Sequence, residues 1–200
     1  MIITLPFNSK YLKYKYKMQD TDIDRFTRFV IPTLAGRLSM DYRVSGVEIF
    51  SDLDFISNIG LSSKIKYIKS NTESATRAED VIEKYIAMME EAQETVVFYN
   101  PLFPFVSINK IDYLFKRVSG GLANSGLGTY FDSQGLEDIS LVKEADKGIF
   151  VVINKSEFLR QGSRIMAPLD TISLSALELV SLRSEEDYEL YGLISNSGLA

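Results

Sequence analysis

Residues 77–104, RAEDVIEKYIAMMEEAQETVVFYNPLFP, decide how the rest of the chain is read. Val81, Tyr85, Met88, Ala92 and Val96 recur at three- and four-residue spacing, while Glu79, Glu83, Glu90, Glu91 and Glu94 fall mostly on other faces. Thr76 and Glu79 have capping-box spacing. The pattern predicts one amphipathic helix from Arg77 to about Tyr99, running into a buried turn and ended by Pro101 and Pro104.

Outward from there, the front of the chain continues the helical reading. Thr21 to Asp24 resembles a helix start, and Ile23, Phe26, Val30, Leu34 and Leu38 form a stripe that Pro32 should kink. Val47 to Ile59 is expected as a short helix stopped at Gly60, and Lys64 to Lys69 as a strand or a helix. Residues 70–76 read as a linker, and Ser107 to Val118 as a further helix closed by Gly120 and Gly121. In residues 1–18, Leu12, Tyr14, Tyr16 and Met18 alternate with Lys13, Lys15 and Lys17, which suits an extended arm or edge strand.

The last third carries strand signals at Ile139–Val142, Ile149–Ile153, Arg164–Ala167, Leu177–Leu182 and Tyr188–Ile194, separated by turn residues. The expectation is an α+β single domain over 1–200. It has an extended arm (1–18), a mainly helical part (20–118), a glycine-rich loop (119–136) and a mainly β part (137–200). The last would form an antiparallel meander or half-sandwich over about 138–195.

Composition narrows function. The 200 residues hold 22 Lys+Arg and 27 Asp+Glu, a net charge of −5, with no Cys, His or Trp. That excludes thiol nucleophiles, imidazole acids and bases, the Ser-His-Asp triad and zinc sites built on Cys or His. Charge is uneven: residues 1–70 carry 11 cations against 7 acids, and residues 71–200 carry 11 against 20. Such a dipole orients a protein towards a partner of opposite sign. Met1 to Phe7 has no secretory pattern, and Thr95 to Ile108 is too short to span a bilayer, so no membrane is expected. The expected setting is a cytoplasm or a particle assembled there.

Few motifs carry chemistry. Asp20, Asp22 and Asp24 have the spacing of a calcium loop, but Arg25 and Ile31 stand where Gly and Glu are needed. Gly120, Gly121, Gly126 and Gly128 with Asn124 read as a flexible loop between the helical and β regions, with ordering on a partner as the second reading, and without the Gly-Lys-Ser/Thr of a phosphate loop. Lys and Tyr over 10–18 and 64–69 suit an interface, and less well a nucleic-acid groove. Asp112, Asp132, Glu137, Asp138 and Asp170 are the acids on which a carboxylate- or metal-dependent enzyme would draw.

The reading that follows is a non-catalytic assembly protein, not an enzyme. It has no catalytic, cofactor or metal residues, and it acts through protein contacts or self-association. Its expected interaction residues are Tyr11, Lys13, Tyr14, Lys15, Tyr16, Lys17, Gly120, Gly121, Asn124, Gly126 and Gly128. The layout of arm, helical middle and β end is similar to bacteriophage head–tail or tail subunits, which implies a virion component. A nucleic-acid-binding accessory protein is the alternative, and the carboxylate or metal enzyme the third.

Overall fold

The chain opens not with a free arm but with a strand, β1 (Ile2–Phe7), whose Ile3, Leu5 and Phe7 are buried. The computed structural model describes residues 1–53, 62–70, 77–89, 93–129 and 149–196. β1 leads into α1 (Ser9–Tyr16), α2 (Asp20–Arg25), one π-helical turn (Phe26–Val30) and α3 (Ile31–Met40), the last with Pro32 in its first turn. Then come β2 (Gly46–Ser51), β3 (Ile65–Lys69), α4 (Ala78–Ile86), β4 (Thr95–Tyr99) and α5 (Ile108–Ser119). The chain continues through β5 (Ser125–Thr129), β6 (Phe150–Asn154), α6 (Lys155–Gln161), β7 (Leu169–Ser173), a 3-10 turn (Leu177–Leu179) and α7 (Glu185–Asn196).

The strands form one seven-stranded sheet in the order β3-β2-β1-β4-β6-β5-β7. β1 pairs in parallel with β2 and β4, β2 with β3, and β5 with β7. β6 lies antiparallel between β4 and β5. Helices cover both faces. Ile3, Leu5, Val97, Tyr99 and Val152 pack with Leu34, Leu38, Ile111 and Leu114 of α3 and α5. On the other face Phe50, Val96, Phe98, Val151 and Ile153 pack with Ile82, Tyr85 and Ile86 of α4 and Phe158 of α6.

This arrangement corrects the expected α+β class: the sheet is mostly parallel and helices alternate with strands along the chain. The error starts in the opening stretch. Only Ala78–Ile86 is the helix, and Thr95–Tyr99, read as its end, is a central strand buried at all five positions. A strand covered on both faces shows a continuous apolar run, which periodicity does not separate from a buried helix end. Residues 20–118 therefore contain β2, β3 and β4. Within 138–195, Ile149–Ile153 corresponds to β6, but Leu177–Leu182 holds a 3-10 turn, Tyr188–Ile194 is part of α7, and Ile139–Val142 lies outside the described residues. The extended arm is also corrected, because residues 9–16 are helical. Among the described residues no helix is long and apolar enough to cross a membrane.

Candidate functional site

The strand order reverses at β1. The chain steps outward from β1 to β2 and β3, then returns through α4 to β4 on the other side of β1. The strand that follows β1 lies on one side of the pair and the strand that follows β4 on the other, and open α/β sheets bind ligands in the crevice at the carboxyl ends of such a pair. Here that crevice is a cleft open to solvent. Phe7 and Asn8 at the end of β1, with Tyr11, Leu12 and Tyr16 of α1, form one wall. Arg77 and Ala78, Val81 and Ile82 at α4, Phe98 and Asn100 at the β4 end, and Arg164 from the segment before β7 line the same cleft.

Local chemistry fixes each wall. The Asn8 side-chain oxygen accepts the N–H groups of Lys10 at 2.8 Å and Tyr11 at 3.2 Å, so it caps α1 at its first turn. Lys17 ends the helix in the left-handed region at φ 58, its N–H donating to the Leu12 carbonyl. Between cap and stop, the Tyr11 and Tyr16 rings meet edge to face with centroids 5.7 Å apart. The Asn100 N–H donates to Ile149 O at 2.9 Å, and its Oδ1 accepts the Leu102 N–H at 3.1 Å. Its Nδ2 donates to the Tyr16 hydroxyl at 3.2 Å, which ties the β4 end to the aromatic wall.

The charged side is made of arginines. Arg77 is the residue before α4, and its guanidinium meets Asp80 at 3.0 Å, a hydrogen bond that raises the arginine above its ordinary pKa. Arg164 is mostly buried, with 16% of its side chain exposed, and meets Glu79 at 3.3 Å. No glycine occurs before Gly36, so the turn after β1 is no glycine-rich phosphate loop. The cations that line the cleft are the two guanidiniums, beside the amino end of α4. Aromatic rings and guanidiniums lining one cleft suit a ligand that carries both a flat ring and phosphate.

Of the interaction residues expected from sequence, Tyr11 and Tyr16 line this cleft. Lys13 lies exposed on α1 and pairs with Asp20, Lys17 closes the helix, and Tyr14 and Lys15 fall within it. The glycine group does not line the cleft. Gly120 and Gly121 terminate α5, Asn124 Nδ2 donates to Ala167 O at 2.7 Å, and Gly126 and Gly128 lie inside β5. Among the candidate acids, Asp112 pairs with Lys116 at 2.8 Å and Asp170 pairs with Arg117; Asp132, Glu137 and Asp138 lie outside the described residues. Among the described residues no group of three or more acids is placed to hold a metal ion. Sequence reasoning missed Asn8, Asn100, Arg77 and Arg164. The usable signal was an asparagine directly after each apolar strand, Ile2–Phe7 and Thr95–Tyr99.

No protein-family model matches the sequence, and no curated protein matches it. Solved structures do. The 2-C-methyl-D-erythritol 4-phosphate cytidylyltransferase of Francisella tularensis aligns over 96% of this chain and 98% of its own, with TM-score 0.58 and 9% identity. The chain shares the fold of this enzyme. The 4-diphosphocytidyl-2C-methyl-D-erythritol synthase of Anaerococcus prevotii covers 99% and 96%, with TM-score 0.54 and 12% identity. The Thermus thermophilus 2-C-methyl-D-erythritol 4-phosphate cytidylyltransferase covers 98% of each chain, at 0.53 and 10%. At such identities the likeness is one of fold alone: a mostly parallel α/β sheet covered by helices on both faces. These neighbours overturn the expectation of a non-catalytic, bacteriophage-like virion subunit, since these three structures, which share the architecture, are named as enzymes.

Proposed function

We propose that this chain is a nucleotidyltransferase whose nucleotide site is the cleft between the carboxyl ends of β1 and β4. One observation carries the proposal. The place where the strand order reverses is also where Tyr11 and Tyr16 line one cleft together with Arg77 and Arg164. In this reading the base of a nucleoside triphosphate packs on the tyrosine wall, and its phosphates meet the two guanidiniums at the amino end of α4. Asn8 and Asn100, both held by backbone amides, fix the spacing between the walls. An acceptor oxygen attacks the α-phosphorus, the bond from that phosphorus to the bridging oxygen breaks, and pyrophosphate leaves with the bond's electron pair. The arginines contribute by neutralising charge that moves towards pyrophosphate.

The proposal places the protein in a cytoplasm, where nucleoside triphosphates are made. It retains self-association, supported by the exposed Phe29, Met40 and Tyr42 and tested by absolute mass from light scattering. A monomer at every concentration removes that part. The central test is calorimetric titration with CTP, ATP, GTP and UTP. One of them should bind at a single site, and Arg164→Gln should weaken it about tenfold, the order lost with a charge-assisted hydrogen bond. No binding by any of them, or equal binding by the variant, contradicts the reading.

A further inference from the structure

We propose that the groove at the amino ends of β1, β2 and β4 binds a free α-amino acid with an apolar side chain, its ammonium on Glu48 and its carboxylate on Lys66. The groove lies at the other end of the sheet from the nucleotide cleft, so the proposal does not rest on the nucleotidyltransferase reading. Glu48 and Lys66 are register partners on β2 and β3, and both line the groove. Neighbouring strands lie about 4.8 Å apart, so the two side chains stand side by side. The Glu48 carboxylate is half-buried and accepts the Tyr85 hydroxyl of α4. That donor is held in place. Tyr85 is 1% exposed, and its ring meets those of Phe50 and Phe98 edge to face, with centroids 5.4 and 5.2 Å away. Burial, and then the bond to Glu48, pushes the Tyr85 hydroxyl above its ordinary pKa, so it stays protonated and keeps donating.

Two features give the class of ligand. The first is a pair of charges left open. Among the described residues Glu48 pairs with no cation and Lys66 with no carboxylate, although each is the other's neighbour. Opposite charges so close attract. Here the carboxylate holds a hydroxyl instead, and the exposed Lys66 ammonium is left to solvent. A zwitterion serves both at once: its ammonium donates to Glu48 and its carboxylate accepts from Lys66 Nζ, each a charge-assisted hydrogen bond. A ligand with a single charge would meet one of the two and be repelled by the other. The α-amino acid, with one carbon between its charges, matches two side chains on neighbouring strands. The second feature is the rest of the lining, where Ile2, Ile68, Met88 and Met89 supply apolar surface. Met88 is 56% exposed, and flexible thioethers adapt to aliphatic and aromatic side chains alike.

The test is calorimetric titration of the full chain with leucine, methionine and phenylalanine. At least one of them should saturate a single site. N-acetylleucine, which lacks the ammonium, and leucinamide, which lacks the carboxylate, should each bind about tenfold or more weakly than leucine. Glu48→Gln, which keeps an acceptor for Tyr85, and Lys66→Gln should each weaken amino-acid binding about tenfold. Lys66 is exposed, so its variant should keep the wild-type melting temperature and reads the site even if Glu48→Gln fails to fold. The inference is overturned if none of the three amino acids binds wild type, or if both blocked derivatives bind as tightly as leucine. It is also overturned if Lys66→Gln binds the amino acid as wild type does, or weakens it only together with a lowered melting temperature. Nucleotide affinity should stay within about twofold in both variants. Failure of wild type to bind any nucleotide is a separate result, which removes the nucleotidyltransferase reading and leaves this site standing.

Discussion

A Cβ placed on Gly128 would stand 2.0 Å from the ring of Phe150, and one on Gly126 2.9 Å from the Leu114 Cβ. Phe150 is 1% exposed and has nowhere to go. Gly128→Ala should therefore cost about 3 kcal/mol in urea unfolding, at the upper end for overpacking a core. Gly36→Ala, inside α3 with nothing within 4 Å of the new Cβ, should gain about 0.5–1 kcal/mol by helix propensity. In sequence these glycines look alike, because a glycine required by close packing and a glycine that marks a turn carry the same letter. A buried charge gives a second test at this scale. Glu178 is 5% exposed. Burial pushes its carboxyl up, but hydrogen bonds from Lys110 and from the Ser175 and Ser107 amides outweigh this and hold it below its ordinary value. A carboxyl depressed by folding contributes stability above its unfolded pKa and loses it as pH falls through the folded one. Glu178→Gln should cost about 2 kcal/mol at neutral pH, and the gap to wild type should shrink as pH falls below about 4.5 in denaturation series.

Single elements show why part of the fold was legible and part was not. α5 (Ile108–Ser119) stands where apolar spacing and the glycine pair place a helix, and β6 (Phe150–Asn154) where a branched apolar run places a strand. α1 was misread because Lys and Tyr alternate through it. Both are acceptable in helices, and the Asn8 cap together with the left-handed Lys17 stop decides the matter. α7 was misread for a similar reason. Its start is fixed by Asp187 accepting from the Arg183 and Ser184 amides, and its Tyr191 ring packs against Phe105 at 5.5 Å. Caps are short-range signals that a period-two pattern hides. Asn8→Ala should destabilise the protein by about 1 kcal/mol. Because α1 carries Tyr11 and Tyr16, it should also weaken nucleotide binding, which a thermal melt and a titration of the same variant would show together.

At the scale of the molecule, the site is made by strand order, which no local pattern encodes. β1 and β4 are more than ninety residues apart in sequence yet adjacent in register, Ile3 opposite Val97. Asn8 and Asn100 are brought together only by that pairing, so the cleft was not legible, while two of its tyrosines were singled out for their chemistry. The cleft also joins the two charge halves of the chain, since β1 comes from the cationic front and β4 from the acidic remainder. A second groove at the amino ends of the strands, lined by Met1, Glu48, Lys66, Met88 and Met89, is the natural control surface.

The most direct test is an amide chemical-shift map of the isotopically labelled protein as CTP, then each other nucleoside triphosphate, is added. The account predicts saturable shifts centred on Asn8, Tyr11, Tyr16, Ala78, Asn100 and Arg164 with at least one of them. Shifts centred on the Met88–Met89 groove, or no saturable shifts with any of the four, would contradict it.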